Sequence, residues 1–270
     1  MAVRQLPAAL RGQTALISGA SSGIGAATAR KLAALGMHVI LTARRTERLN
    51  ALADEIRGSG GQAQVVTADL ARAEDRAALA ALAPETAVLV NNAGIGWYGY
   101  YAEMPPELMG EMLRVNLLAV AELTHAFLPA MQARGGGHIL NISSVAGGLP
   151  EQGVVLYSAT KAFMDAFTTA LHRELRGSGV HAGLVCPGPV SSEFYPRAAG
   201  QPNGKPVPAE RFAVPPERVA EAVAGLLARP RRRVYVPGWL AVSRWVEPLF
   251  GGIIDLLGPL LLKRDSPRRK

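Results

Sequence analysis

Tyr157 and Lys161 stand four residues apart in a stretch that reads as helix from Tyr157 to Arg176, so phenol and amine share a face and can open on one cleft. A free tyrosine titrates near ~10, too high for a good base at neutral pH. Bringing it to neutrality takes about 4 kcal/mol of preferential stabilisation of the phenolate, and one close ammonium in a partly dry site supplies much of that. Such a pair moves protons to and from a reacting oxygen. Ser144 lies thirteen residues before Tyr157 and follows Ser143; if a strand continues there, the two hydroxyls point oppositely and only one faces the cleft. Asn116 sits between Val115 and Leu117 in a long helical stretch, where an asparagine is ordinarily a surface or kink residue. His125, His138, His172 and His181 share no ligand spacing with acidic residues, and no metal is expected.

A second chemistry is written near the start. The run Ser18-Gly19-Ala20-Ser21-Ser22-Gly23-Ile24-Gly25 follows an apolar strand and opens a helix. Glycines there permit a tight turn and close approach of backbone to a pyrophosphate at a positive helix N-terminus. The spacing is GxxxGxG rather than GxGxxG. An acidic residue about 20 positions beyond such glycines would take the ribose 2′-hydroxyl of NAD. This chain instead has Ala43-Arg44-Arg45, and guanidinium groups suit a 2′-phosphate, so NADP (NADPH) is expected rather than NAD.

These residues need a scaffold, and the hydrophobic pattern supplies one. Thr14 to Ser18, His38 to Thr42, Gln64 to Thr67, Ala87 to Val90, His138 to Ile142, Val180 to Val185 and Arg233 to Val236 read as strands. Continuous apolar runs such as Ala87-Val88-Leu89-Val90 suit strands buried on both faces of a parallel sheet. Helical patterns alternate with them at Gly25 to Leu35, Thr46 to Arg57, Pro106 to Arg134, Tyr157 to Arg176 and Pro216 to Ala228. The expected class is α/β: a doubly wound parallel sheet of about seven strands in three layers, a Rossmann fold. Ser191 to Pro215, rich in proline and glycine, reads as a loop.

Composition bounds the remainder. At 270 residues, 49% hydrophobic and 19% charged, the chain is neither disordered nor fibrous, and its length suits one sizeable core. A lone cysteine, Cys186, excludes a disulfide framework, and no leader is visible before Arg11, so a cytoplasmic setting is the default expectation. From Arg229 onward lie 10 of the 29 basic residues and 3 of the 21 acidic ones, which leaves the preceding body nearly neutral. A nucleic-acid-binding body would carry its own basic surface, so nucleic acid is not an expected partner.

Three further motifs are Asn91-Asn92-Ala93-Gly94 after the fourth strand, Tyr157-x-x-x-Lys161 thirteen residues beyond Ser144, and Pro187-Gly188-Pro189-Val190 after the sixth. With the glycine run, in this order and spacing, they resemble the short-chain dehydrogenase/reductase family, NADP-preferring branch, over residues 12 to about 236. The resemblance implies hydride transfer between NADP and a ketone or secondary alcohol, with Tyr157 as acid/base, Lys161 its partner, Ser144 orienting the carbonyl and Asn116 the fourth catalytic member. It implies cofactor contacts from Gly19, Ser21, Ser22, Gly23, Ile24, Gly25, Arg44 and Arg45. Further contacts are implied from Asp69 and Leu70 at the adenine, Asn92, Ala93 and Gly94 beneath it, and Pro187, Gly188, Val190 and Ser192 on the nicotinamide side, besides Tyr157 and Lys161 themselves. Ser18 and Ser192 stand where the family usually has threonine, and Ala87 where it has aspartate. A nonenzymatic dinucleotide sensor on the same fold is the alternative, as is a membrane-surface scaffold; a sensor would not need the intact set of four. A lyase or epimerase is a minor variant within the enzyme class.

The substrate is expected to be a small carbonyl or alcohol compound, apolar if Trp97, Tyr98, Tyr100 and Tyr101 line its cleft rather than packing their own loop or an interface. A homodimer or homotetramer is implied, pairing through Pro106 to Arg134 and Tyr157 to Arg176, the latter with an apolar stripe at Ala162, Phe163, Ala166, Phe167 and Ala170. Residues 1–238 are read as one catalytic domain and 239–270 as an extension, apolar and then basic. Pro248 and Pro259 would divide any helix there, and uncharged runs of seven residues are too short to cross a bilayer. The extension is left three destinations: the cleft, a neighbouring subunit, or peripheral contact with an anionic membrane through its basic end.

Overall fold

The apolar runs pair side by side into one sheet. In the computed structural model, which describes residues 5–206 and 212–257, seven parallel strands are β1 (Thr14–Ser18), β2 (His38–Ala43), β3 (Gln62–Thr67), β4 (Thr86–Asn91), β5 (Gly137–Ile142), β6 (Val180–Pro187) and β7 (Arg233–Val236). Their order is β3-β2-β1-β4-β5-β6-β7, so winding reverses between β1 and β4, and a crevice opens there at the carboxyl ends of the strands. β4 and β5 are buried throughout, as continuous apolar runs require. Side chains alternate, so Ala15 and Ile17 enter one core with α1 (Gly23–Ala34), α2 (Thr46–Gly58) and α8 (Pro216–Ala228). Leu16 enters the other, with α5 (Ala119–Ala133) and the end of α6 (Val155–Glu174).

Polar residues stitch these layers where the site lies. Asn91 Nδ2 donates to Asn141 Oδ1 at 2.8 Å, and Asn141 Nδ2 donates to Thr168 Oγ1 at 2.8 Å, joining β4, β5 and α6 through buried amides with partners.

Four elements differ from the sequence expectation. The stretch Pro106 to Arg134 is not one α-helix: α4 (Pro106–Leu113) passes through a π-helical turn, Arg114–Leu118, into α5. Ala73–Ala80 forms a helix, α3, anchored where the buried Arg76 guanidinium meets Glu122 at 2.6 Å. Within the expected loop, Phe194–Ala199 forms the short helix α7. Ser243–Leu257 is one helix, α9, running through Pro248 rather than divided there. Pro248 is the sixth residue of that helix and leaves the Arg244 carbonyl without its helical partner, yet the helix continues across it. Pro259 and the basic end lie outside the described residues.

The extension packs on the body only at its start, where Leu240 reaches Gly188 and Arg244 passes Gly148. Beyond that, Val242, Trp245, Leu249, Ile253 and Leu256, spaced by three and four, are all more than half exposed. The apolar face is turned to solvent. No helix among the described residues is long and apolar enough to cross a membrane.

Candidate active site

The turn from β1 into α1 is held from below. Ser18 Oγ accepts the backbone N–H groups of Asn92 and Ala93 at 2.9 and 3.0 Å, and Asn92 Nδ2 donates to Ser18 O at 2.8 Å. A serine hydroxyl therefore does what the usual threonine hydroxyl would at this position. Gly19 has φ +66, and a side chain on it would meet Ala93 and Asn92 at 2.9 Å; one on Gly25 would strike the Gly19 carbonyl. Only glycine fits at either place. Ser22 precedes α1 without capping it, its hydroxyl accepting instead from Arg45 at 2.8 Å. The first N–H groups of α1 thus keep no side-chain cap, the state in which a helix start takes a phosphate.

Arginines flank that turn. Arg45 donates through Nε and Nη2 to Ser21 Oγ at 3.2 and 2.8 Å, and through Nη1 to Glu193 at 2.8 Å. Arg44 is exposed and pairs with Glu111 at 2.7 Å. Arg48, one turn into α2, also pairs with Glu193. The donor set and the uncapped helix fit an anionic dinucleotide.

Across the crevice the proton-handling residues converge. Ser144 Oγ accepts the Ala146 N–H at 3.2 Å and hydrogen bonds with Tyr157, whereas Ser143 points away and donates to Asp165 Oδ1 at 2.6 Å. The lysine Nζ lies 5.6 Å from the Tyr157 ring centre and donates to Ile142 O at 2.9 Å. Burial pushes the Tyr157 phenol up, opposed by its bond to Ser144, and pulls the Lys161 ammonium down to about 8 despite nearby Asp165. The four-residue spacing alone implied a depressed phenol; here desolvation by the protein outweighs the bond to Ser144, and the tyrosine is held as an acid.

Asn116 stands in the π-turn, fully buried. Its Oδ1 accepts from Ile95 N at 2.8 Å, and its Nδ2 donates to Ile95 O at 2.9 Å and Thr160 Oγ1 at 3.1 Å. It ties the chain after Gly94 to α6 one residue before Lys161. A side chain at Gly94 would come 3.6 Å from Asn116 Oδ1 and 3.7 Å from Lys161 Nζ, which brings those three positions together.

The remaining residues singled out in the sequence surround this centre. Asp69 Oδ1 accepts from Ala71 N at 3.0 Å, shaping the turn after β3, while the Leu70 side chain is buried in the core and leaves only its backbone to a ligand. Gly188 N donates to Val236 O at 2.9 Å, with Pro187 ending β6 before it. Val190 is buried and bridges to Val214, and Ser192 rests on Gly23. Trp97, Tyr101, Met104, Met112 and Val155 line a shallow apolar crevice beside Tyr157, too tight as it stands for a water molecule. Tyr98 packs inside its own loop against Gly153, so the aromatic cluster both lines the cleft and packs its loop. No His/Cys/Asp/Glu group suited to a metal occurs among the described residues.

Three participants, Asp165, Glu193 and Phe194, were missed in the sequence. Asp165 lies four residues beyond Lys161 and pairs with Arg233 at 3.2 Å; continuing the four-residue spacing would have found it. Phe194, its ring 5.4 Å from that of Tyr157, and Glu193 gave no signal of their own in a segment without periodicity.

A family model described as short chain dehydrogenase matches residues 13–201. The very-long-chain 3-oxoacyl-CoA reductase of Anas platyrhynchos is 39% identical over 193 residues, 68% of this chain but 61% of that protein's length. A short-chain dehydrogenase from Sphingobium yanoikuyae in complex with NADPH is 31% identical, superposing with TM-score 0.79 over 95% of this chain and 100% of that one. One from Burkholderia phymatum in complex with NAD is 28% identical, with TM-score 0.79 over 92% and 95%.

Proposed function

We propose, from the premise that this chain belongs to the short chain dehydrogenase family, that it is an NADP(H)-dependent oxidoreductase reducing an apolar ketone to a secondary alcohol. The observation that carries the reading is the convergence of Ser144, Tyr157 and Lys161 beside the uncapped start of α1. A reduced nicotinamide supplies the hydride when bound. Ser144 would hold the carbonyl oxygen while Tyr157, kept protonated by burial, delivers its proton to that oxygen. The lysine would steady the resulting negative charge and hold the ribose hydroxyls. Asn116 has a second Oδ1 lone pair for a water leading to Lys161, and its bonds to Ile95 and Thr160 make it a positioning residue.

NADP preference is supported by Arg44 and Arg45 just after β2 and Arg48 in the first turn of α2, with no carboxylate on that strand. Glycine-turn residues Gly19 to Gly25, Asn92 to Gly94 and the backbone from Pro187 to Ser192 would hold the remainder of the dinucleotide. The Trp97–Met112 wall supports an apolar substrate, and 3-oxoacyl thioesters, named for the duck relative, belong in the panel. Exposed Ala162, Ala166 and Ala170 on α6, beside the stacked Phe163–Phe167 pair, support a homodimer or homotetramer through that helix. The solvent-facing stripe of α9, with exposed Arg244 in its first turn and a basic end in sequence, supports peripheral attachment to an anionic membrane. Oxidation of NADPH and NADH, side by side, against ketones, aldehydes and 3-oxoacyl thioesters tests the reading. Turnover with NADPH and an apolar ketone is expected; no turnover of either cofactor with any carbonyl would overturn it.

A further inference from the structure

The Glu193 carboxylate is the meeting point of three arginines from two sides of the crevice. Its Oε2 accepts from Arg45 Nη1 at 2.8 Å and from Arg197 Nη2 at 2.6 Å, and its Oε1 accepts from Arg48. The remaining donors of Arg45 go to Ser21 and Ser22 in the glycine turn. One carboxylate thus bridges the segment after β6 to the end of β2, where the arginines expected to read a ribose phosphate stand. Three guanidinium groups on one monoanion leave a surplus of two positive charges, which a phosphate dianion would match better. The field holds the Glu193 carboxyl down to about 2, chiefly through Arg48 and Arg45. Water reaches the cluster: the side chains of Glu193, Arg48 and Arg197 are 40%, 51% and 50% exposed, so an anion from solution can exchange into it.

The next residue carries the consequence. The Phe194 ring lies 5.4 Å from that of Tyr157 and fills the space over Gly96, so any side chain there would strike it. Adjacent residues therefore tie the arginine cluster to the cover on the acid/base.

We propose that Glu193 is a specificity-determining residue, an internal stand-in for the 2′-phosphate that holds Arg45 and Arg48 until that phosphate displaces it and releases the Glu193–Phe194 turn from Tyr157. This deepens the NADP reading above and rests on it. A dinucleotide without the phosphate leaves the carboxylate in place and the tyrosine covered.

Titration of the full chain with 2′,5′-ADP and with 5′-AMP, for wild type and Glu193→Gln, tests this without turnover. Removing the competing charge is expected to tighten 2′,5′-ADP about tenfold and leave 5′-AMP within about twofold. Amide exchange over residues 192–199 is expected to quicken when wild type binds 2′,5′-ADP and to be already fast in the variant. Wild-type discrimination between the nucleotides with no gain in the variant overturns the inference alone. Wild type that binds both equally overturns the cofactor reading and this one with it. Tighter binding without any change in exchange overturns the release of the turn.

Discussion

Replacing Lys161 by methionine isolates the charge beside the tyrosine. At 5.6 Å from the ring, an ammonium and a delocalised phenolate attract by about 3 kcal/mol with an effective dielectric near 20. That is roughly a hundredfold in the ratio of phenolate to phenol at any pH where the amine is charged. Below about pH 8 the amine holds its proton, so the effect is full there. The assay is the pH profile of alcohol oxidation and of ketone reduction at saturating cofactor. Oxidation needs the phenolate and rises through the tyrosine's titration; reduction needs the phenol and falls through it. Both limbs are expected to move alkaline together in Lys161→Met, the oxidation rate still climbing at the highest usable pH. The variant also strands the Ile142 carbonyl, costing about 1 to 3 kcal/mol of stability, so its melting temperature is followed in parallel. If the folded variant kept both limbs where wild type has them, the lysine would not be setting the tyrosine's charge, and its role beside the phenol would be refuted.

Tyr157→Phe is expected to remove turnover while leaving NADPH binding nearly intact; a variant with a tenth of wild-type activity would refute the acid/base role. Arg44→Ala and Arg45→Ala are expected to weaken NADPH about ten- to a hundredfold and NADH little, the larger loss falling on Arg45, which is locked to Ser21 and Ser22. Equal losses for the two cofactors in a titration would make those arginines structural. His138 is buried beside His181, and burial holds it near pH 4 instead of its ordinary 6.5. Its folded form rejects a proton that the unfolded chain accepts, so stability is whole above about pH 6.5 and falls by up to roughly 3 kcal/mol toward pH 4. Urea melts of wild type and His138→Gln across that range should differ in slope; identical slopes would clear His138. Truncation after Gly238 is expected to abolish binding to anionic liposomes with turnover and light-scattering mass unchanged; lost oligomer, or no liposome binding by the full chain, would assign the α9 stripe to a subunit contact.

Local chemistry made much of the site legible. The roles came from the family resemblance, but helical spacing put Tyr157 and Lys161 on one face and strand alternation let only one of Ser143 and Ser144 face the cleft, each from neighbours in sequence. The sheet was readable for the same reason: strands buried on both faces leave unbroken apolar runs. What escaped depends on distant partners. Glu193 takes its role from Arg45, 148 positions earlier, and Phe194 from a ring 37 positions before it; neither has a local pattern. The exposed stripe of α9 was visible as apolar sequence, but its direction was not, since periodicity gives a face without saying what it faces. The π-turn left a faint trace. Leu108, Met112, Asn116 and Val120 are all buried at strict intervals of four, whereas a regular helix of 3.6 residues per turn would have carried the last of them about 120° away from the first.

That wide turn makes the length of this helix a heritable constraint. An α-helix tolerates substitution at most positions, and loops tolerate insertion and deletion. Here the loss of one residue between Leu113 and Ala119 would close the segment to ordinary helix, with α4 and α5 keeping their buried faces to within about 20° but the wide turn that presents Asn116 gone. Asn116 would leave Ile95 and Thr160 together. Variation along Pro106–Ala133 should therefore arise by exchange of residues and almost never by change of length.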